Sequence, residues 1–197
     1  MMKNALCTDM ARPVALGLLL LPLLAGLAGA ANPVKTITGL SVVQDTGEMV
    51  IDGQKIILWG IDTLAPDQQC WQGDMAWGCG ESSIIALRHF VEGRSVTCEI
   101  QHYADEESNV AVAKCFRPKG SGRQDIAARM VEQGWATERG STSGGAYYEE
   151  EQEAQEFKRG VWSGRFQSAQ DWRDGVQRYF GDTPKQGPFI EQPKPQQ

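Results

Sequence analysis

Five short segments rich in β-branched residues constrain the fold of this chain more than any other feature of the sequence. Turn signals separate them, and one of these, Asp52-Gly53, is typical of a tight hairpin. The first three segments predict a meander, and the last two predict a hairpin in which Cys98 and Cys115 can lie side by side. The predicted strands span residues 37–43, 49–51, 55–59, 95–101 and 109–116. The domain is therefore expected to be mainly β.

Three further segments carry the signals of amphipathic helices. In the first, Ile84, Leu87 and Val91 fall on one stripe, and Gly93 follows as a stop signal. The predicted helices span residues 81–91, 125–133 and 147–159. One helix between the third and fourth strands, with two more after the fifth, is the order expected of an OB barrel with helical additions. The predicted fold class is α+β, mainly β: a five-stranded OB-fold barrel with about three α-helices.

The first 30 residues have the features of a secretory signal peptide. A cationic start precedes an apolar run over residues 14–27, and Ala28-Gly29-Ala30 fits a cleavage site. The run is shorter than the ~20 residues that a membrane-spanning helix needs, which disfavours the alternative of a retained anchor. We therefore expect a periplasmic or secreted protein with no transmembrane segment in the mature chain. The predicted parts are a signal peptide (1–30), a barrel domain (31–175) and a flexible tail rich in proline and glutamine (176–197).

The charge balance of the chain is acidic. The formal net charge is −6 at pH 7, and the predicted signal peptide is itself cationic, so the mature chain is more acidic still. Proteins that bind nucleic acid usually carry a cationic footprint that releases counterions from the phosphates. The balance therefore disfavours nucleic acid as a partner and leaves an unknown protein, glycan or nucleotide ligand open.

Cysteine usage agrees with export. Cys7 lies in the predicted signal peptide, which leaves an even number of cysteines in the domain. These are Cys70, Cys79, Cys98 and Cys115. Three pairings are possible, and an oxidising compartment permits any of them. A zinc or redox site is disfavoured because no C-x-x-C spacing occurs and His89 and His102 are the only histidines of the sequence.

Several motifs follow one another in a fixed order through the domain. Residues 56–62 read Ile-Ile-Leu-Trp-Gly-Ile-Asp, residues 65–67 read Ala-Pro-Asp, and residues 77–80 read Trp-Gly-Cys-Gly. This series resembles the pattern I-R-L-x-G-I-D-A-P-E, Q-x-C and W-x-C-G of the exported branch of the staphylococcal nuclease-like (thermonuclease) family. The resemblance covers about residues 38–173. It implies the barrel of that family, and it implies structural disulfides that join Cys70 to Cys79 and Cys98 to Cys115.

The residues that carry the chemistry of that family are largely replaced in this chain. The resemblance implies a calcium ion that activates water, a glutamate that assists, and two arginines that stabilise charge on the phosphate. The first arginine position falls on Ile57, and the second falls at or near Val110. The glutamate position falls on Asp67, which is one methylene shorter. We therefore expect these three catalytic positions to be degenerate.

The metal ligands that the resemblance implies are partly retained. Asp62 matches one aspartate of the family, whereas the position of a second falls on Gly47. Carboxylates from neighbouring loops can still gather a weak calcium ion. The candidates are Asp45, Glu48, Asp62 and Asp67, with Asp45 and Asp62 as the leading ligands. Apart from this residual Ca²⁺ site, no cofactor is expected.

Three functions remain open at this point, and with them the question whether the chain is an enzyme. The leading hypothesis is a catalytically degenerate nuclease homologue, expected to be a monomer, that acts as a binding or assembly module. The second is a divergent calcium-dependent phosphodiesterase or endonuclease that uses other arginines, namely Arg88, Arg94, Arg117 or Arg123. The third follows from the resemblance, because exported proteins of this type also occur in exopolysaccharide (succinoglycan-type) biosynthesis, where tryptophans could contact a sugar.

Overall fold

Ten strands and five α-helices occur in the part of the chain that the computed structural model describes, residues 34–104, 107 and 109–176. In chain order the strands are β1 (Thr36–Val43), β2 (Met49–Ile51), β3 (Gln54–Leu58), β4 (Ile61–Thr63), β5 (Gln69–Gln72), β6 (Met75–Gly78), β7 (Ser95–Tyr103), β8 (Val110–Lys119), β9 (Gly122–Asp125) and β10 (Ala136–Glu138). The helices are α1 (Cys79–Val91), α2 (Ile126–Glu132), α3 (Gly140–Ser143), α4 (Tyr148–Glu156) and α5 (Ala169–Arg173). A turn of 3-10 helix covers Gly160–Ser163.

Strands β1, β2, β3, β8 and β7 close into a barrel. Four of the pairings around the ring are antiparallel, and the fifth, between β3 and β8, is parallel and closes it. In the parallel pair, Ile57 lies opposite Val112. This closed, five-stranded mixed barrel with added helices confirms the predicted class, which was α+β, mainly β and OB-like.

Alternation along the strands decides which side chains enter the barrel. Ile56 and Leu58 of β3 are buried, while Ile57 between them is 41% exposed. On β8 the buried positions include the small residues Ala111 and Ala113, which have no exposed surface. The pleat of β3 therefore fills the core with two aliphatic side chains and turns Ile57 toward the surface.

A second apolar cluster lies beside the barrel core and contains residues from the C-terminal elements. Trp162 and Phe166 are its largest buried members, and their rings meet edge to face with centroids 5.0 Å apart. The cluster also includes Leu64, Ala154, Val161 and Ala169. Leu64 follows β4 directly. The cluster therefore packs the C-terminal elements against the segment just after β4.

Two disulfides join the four cysteines of the domain. One links Cys98 to Cys115, which lie opposite each other on β7 and β8 and contribute to the barrel core. The other links Cys70 of β5 to Cys79 at the start of α1 and lies in the second cluster. This is the pairing that the resemblance implied, so each apolar cluster contains one covalent link.

Five of the strands were not predicted from the sequence. They are β4, β5, β6, β9 and β10, each of which is three or four residues long. β4 pairs with β10, β5 pairs with β6 as a hairpin, and β9 extends the sheet beyond β8. Segments this short carry too few residues for a period-2 pattern to be visible.

The third predicted helix is shorter than expected, and two short helices are added. α4 ends at Glu156, and Lys158 has a positive φ of 52°, so Lys158 and Arg159 lie beyond the helix and not in its last turn. The short helices α3 and α5 raise the number from about three to five. The predicted signal peptide and the tail after Val176 lie outside the described residues. Among the residues that are described, no helix has the length and apolar character needed to cross a membrane.

Candidate anion-binding cleft

A cleft of about 420 Å³ is lined by residues 56–58 of β3. Its walls come from the start of β2, from β4 and the residues after it, and from positions much later in the chain. Ile57 lines the cleft from β3, and Arg139, Gln170 and Arg173 line it from the C-terminal elements. The cleft is thus shared between the barrel and the elements that pack against it, and its size falls within the range of small-ligand sites.

Asp62 is the centre of an ion-pair cluster in this cleft. Its Oδ1 accepts a hydrogen bond from Nη2 of Arg139 at 2.8 Å and another from Nη2 of Arg173 at 2.5 Å. The side chain of Asp62 is 13% exposed, while those of Arg139 and Arg173 are 44% and 38% exposed. Two guanidinium groups therefore share one carboxylate, and the cluster keeps a net positive charge next to solvent.

The backbone around β4 fixes Asp62 and Arg139 relative to each other. Asp62 lies opposite Thr137 in the pairing of β4 with β10. Arg139 follows β10 directly, and its N–H donates to the carbonyl of Gly60 at 2.9 Å. Gly60 has a φ of 78°, and a Cβ there would lie 2.9 Å from the ring of Tyr147. The turn before β4 therefore requires glycine, and through this turn the chain holds both charged residues in register.

Arg173 reaches the cleft from the C-terminal end of α5. Ser168 caps the helix, because its Oγ accepts a hydrogen bond from the N–H of Asp171 at 3.1 Å. Arg173 also donates from Nη1 to the carbonyl of Thr63 at 3.1 Å and from Nη2 to Oε1 of Gln170 at 3.3 Å. These bonds hold the end of α5 against β4 and orient the guanidinium toward Asp62.

A hydrogen-bonded pair of glutamates joins β10 to α4. Oε1 of Glu138 accepts from Oγ of Ser143 at 2.6 Å and from the N–H of Tyr147 at 3.0 Å. The N–H of Glu138 donates to Oε1 of Glu151 at 2.8 Å. Burial raises the pKa of Glu151; the hydrogen bond from Glu138 opposes this effect, and the charge of Glu138 adds to it. This network anchors the residue that immediately precedes Arg139.

The four acids predicted as calcium ligands do not form one group. Their partners are Arg139 and Arg173 for Asp62, Arg88 for Asp45, Lys55 for Glu48, and the indole N–H of Trp172 for Asp67. Within residues 34–104, 107 and 109–176, no three His, Cys, Asp or Glu side chains are grouped so that they could hold a metal ion. As they are placed here, these acids do not fit a calcium site.

The three positions at which the resemblance implies lost catalytic groups are placed differently. Ile57 lines the cleft, whereas Asp67 and Val110 do not. Val110 lies opposite Lys55 at the start of β8. The cleft therefore presents an apolar side chain at the position where the resemblance implies an arginine.

The arginines predicted as replacements do not line the cleft. Arg88 pairs with Asp45 and Glu92, Arg94 donates to the carbonyls of His89 and Phe90, Arg117 donates to Gln124, and Arg123 pairs with Glu99. The two arginines that do line it, Arg139 and Arg173, were not recognised from the sequence. They lie 77 and 111 residues from Asp62 in the chain, so only tertiary packing brings them there.

None of the six tryptophans lines the cleft. Trp59 is covered by Lys114, whose Nζ lies 4.0 Å from the ring centroid. Trp135 lines a smaller pocket of about 200 Å³ together with Phe90 and Arg129. A ligand in the cleft therefore meets aliphatic side chains and guanidinium groups instead of an aromatic stacking platform.

Comparison with known proteins gives one informative relative. No family model matches the chain. The chain is 30% identical over 137 residues to the succinoglycan biosynthesis protein ExoI of Rhizobium meliloti (strain 1021), and the match covers 68% of each protein. Sequence similarity therefore extends over more than two thirds of both chains. The chain belongs to the family of the succinoglycan biosynthesis protein ExoI.

Proposed function

We propose that the chain is a noncatalytic binding module that acts outside the cytoplasm in exopolysaccharide biosynthesis. Its relative ExoI, a succinoglycan biosynthesis protein, supports the choice of process. The noncatalytic character rests on one observation, the pairing of Asp62 with Arg139 and Arg173 in a cleft lined by the apolar Ile57.

Phosphodiester hydrolysis makes demands that this arrangement does not meet. It needs an activated water as well as groups that stabilise the charge that develops on the phosphate, and Arg139 and Arg173 could supply only the second of these. A metal ion at Asp62 would meet the positive charge of two guanidinium groups that already donate charge-assisted hydrogen bonds to its Oδ1. Ile57 can neither donate a hydrogen bond nor carry charge. The geometry therefore favours binding over hydrolysis.

The disulfides support a location outside the cytoplasm. Two disulfides fit an exported protein, because thiols are kept reduced in the cytoplasm. We infer that residues 1–30 are a signal peptide cleaved near Ala30 and Ala31, and that the mature chain works in the periplasm or beyond it. We propose that the module descends from a thermonuclease-like enzyme and has lost its catalytic groups.

A nuclease assay tests the noncatalytic part. We expect the purified chain to show no hydrolysis of single-stranded DNA above the buffer rate, with calcium or with EDTA. The variant Ile57→Arg should also stay inactive, because the added guanidinium leaves Asp62 in its ion pairs. Calcium-dependent hydrolysis by the unaltered chain that disappears in Asp62→Ala would replace this proposal by the divergent phosphodiesterase.

A genetic experiment tests the process. Deletion of the coding sequence in the source organism should lower the yield or shorten the chain length of the exopolysaccharide, measured by size-exclusion chromatography. Complementation with the unaltered sequence should restore the polymer, as should complementation with Arg123→Gln, which alters an arginine outside the cleft. An exopolysaccharide of unchanged yield and length after deletion would contradict the proposal.

A further inference from the structure

We propose that Arg139 and Arg173 form a metal-independent subsite for a single carboxylate carried by a saccharide. This inference rests on the proposed role in exopolysaccharide biosynthesis and names the ligand chemistry of the same cleft. Asp62 acts in it as a fixed counter-ion that holds the two guanidinium groups together.

The guanidinium groups have donors left for a ligand. A guanidinium carries five N–H donors in a planar fork that matches a carboxylate. In the part of the chain that the structure describes, the side chain of Arg139 donates one hydrogen bond, to Asp62. Arg173 uses its Nη1 and Nη2 atoms for Thr63, Asp62 and Gln170. Arg139 is therefore the main donor to a ligand, and Arg173 mainly supplies charge and orientation.

The charge of the cleft selects for one negative charge. The two arginines outnumber Asp62, and the other acid that lines the cleft, Glu48, is paired with Lys55 at 3.4 Å. The remaining positive charge is balanced by a monoanion. A polyanion such as nucleic acid would in addition meet the repulsion of a chain whose formal net charge is −6.

The apolar part of the wall suits the carbon face of a sugar ring. Ile57 is 41% exposed and lines the cleft, as do Ile61 and Pro66. The volume of about 420 Å³ lies within the range of pockets that hold small ligands. A saccharide that carries a carboxylate satisfies both halves of the cleft, since its ring covers the aliphatic side chains and its charge reaches the arginines.

Titration calorimetry in EDTA tests the subsite with three probes. Galacturonate carries a single carboxylate, its methyl ester is the matched neutral compound, and a dinucleoside monophosphate carries one phosphodiester. We expect galacturonate to bind the unaltered chain and the other two probes to bind at least tenfold more weakly. Equal binding of the ester, equal or tighter binding of the phosphodiester, or no binding of galacturonate at millimolar concentration would each overturn the inference.

Variants of the arginines assign the site. Arg139→Gln and Arg173→Gln should each weaken galacturonate binding about 10- to 100-fold, as expected for loss of a charged hydrogen-bond partner. Arg123→Gln is the matched control, because Arg123 is also exposed and ion-paired but does not line the cleft. Thermal unfolding of each variant shows whether the fold is retained. Unchanged affinity in both folded cleft variants would refute the assignment.

Asp62→Asn should change ligand affinity in opposite directions for a carboxylate subsite and for a metal site at Asp62. The asparagine keeps an oxygen that accepts from the arginines but removes the competing charge, so we expect galacturonate to bind about 3- to 10-fold more tightly. If Asp62 held a metal ion, the same substitution would instead lower the affinity for that ion. If no carboxylate probe binds but deletion still alters the exopolysaccharide, only this subsite is refuted. If deletion leaves the exopolysaccharide unchanged, the proposed role in its biosynthesis is refuted.

Discussion

The barrel and the C-terminal elements of this chain are specified in different ways. In the barrel, β1, β2 and β3 pair in sequence order, and β7 pairs with β8 as the next strand along the chain. The C-terminal elements instead meet the barrel side through distant pairs, such as Gln68 with Gln167, which are 99 residues apart, and Asp62 with Arg173. The barrel strands are thus specified largely by local sequence patterns. The charged groups of the cleft come together through the packing of the second apolar cluster.

The largest expected effect tests whether the second cluster is a separate support for the cleft. Phe166→Ala should lower the free energy of unfolding by ~3–5 kcal/mol, because it leaves a cavity beside Trp162. Amide exchange should then accelerate more in α5 than in β7 and β8. Chemical denaturation and hydrogen exchange measure both. Uniform acceleration across the barrel would show that the two regions are one cooperative unit.

Removal of each disulfide in turn compares the stability that the covalent links contribute in the two regions. The chain-entropy relation gives a loss of about 3 kcal/mol for removal of the link between Cys98 and Cys115, which closes a separation of 17 residues. It gives about 2.5 kcal/mol for the link between Cys70 and Cys79, with a separation of 9. Paired serine variants, followed by urea unfolding, test these values.

Only the second of these variants should also weaken ligand binding, because its cysteines belong to the cluster that supports α5. If removal of the link between Cys98 and Cys115 weakened ligand binding equally, the second cluster would not be a separate support for the cleft.

A buried amide provides a smaller perturbation at the junction of the two regions. Gln68 is fully buried; its Nε2 donates to the carbonyl of Gln167 at 2.9 Å, and its Oε1 accepts from the N–H of Ala65 at 3.2 Å. Gln68→Leu should cost ~1–3 kcal/mol, because two buried backbone groups lose their partner. Equilibrium unfolding gives the value. A neutral effect would mean that water or backbone rearrangement replaces both bonds.

The smallest expected effect is a pH dependence caused by Glu151, which lies in the network that joins β10 to α4. Because the pKa of Glu151 is raised in the folded chain, the fold binds its proton more tightly than the unfolded chain does. The corresponding stability is present below the unfolded pKa of about 4.3 and is lost as pH rises through the folded pKa. Glu151→Gln should abolish this loss, seen as a flatter dependence of the unfolding free energy as the pH rises above about 4.

Glu149→Gln is the control for this measurement, since Glu149 is an exposed glutamate in the first turn of the same helix. An equal change of slope in the control would point to the overall charge of α4 and not to the burial of Glu151.

Much of the scaffold could be predicted from the sequence, because β-branched alternation and turn residues act locally. The five barrel strands and the helix after the third of them follow from such patterns. The short pair β4 and β10 does not, although this pair fixes Asp62 and Arg139. The motif on both sides of Ile57 fixes its alignment with the family pattern, so its place in the site could be identified from the sequence. Ile57 lines the cleft.

The arrangement of charges could not be predicted, for a physical reason. A carboxylate in a calcium motif and a carboxylate that neutralises arginines are the same residue type, and their partners decide between the two roles. For Asp62 the partners come from beyond β10 and from the end of α5, and no local pattern links those segments to β4. The acids predicted to act together instead have separate partners, such as Lys55 for Glu48 and Trp172 for Asp67.

Calcium titration by calorimetry, with the full-length mature chain in chelator-treated buffer, tests directly whether Asp62 is a counter-ion of arginines. Because Arg139 and Arg173 already occupy its Oδ1, we predict no saturable heat at millimolar calcium for the unaltered chain. Stoichiometric calcium binding that is abolished in Asp62→Asn would contradict the account and restore the carboxylate to a metal site.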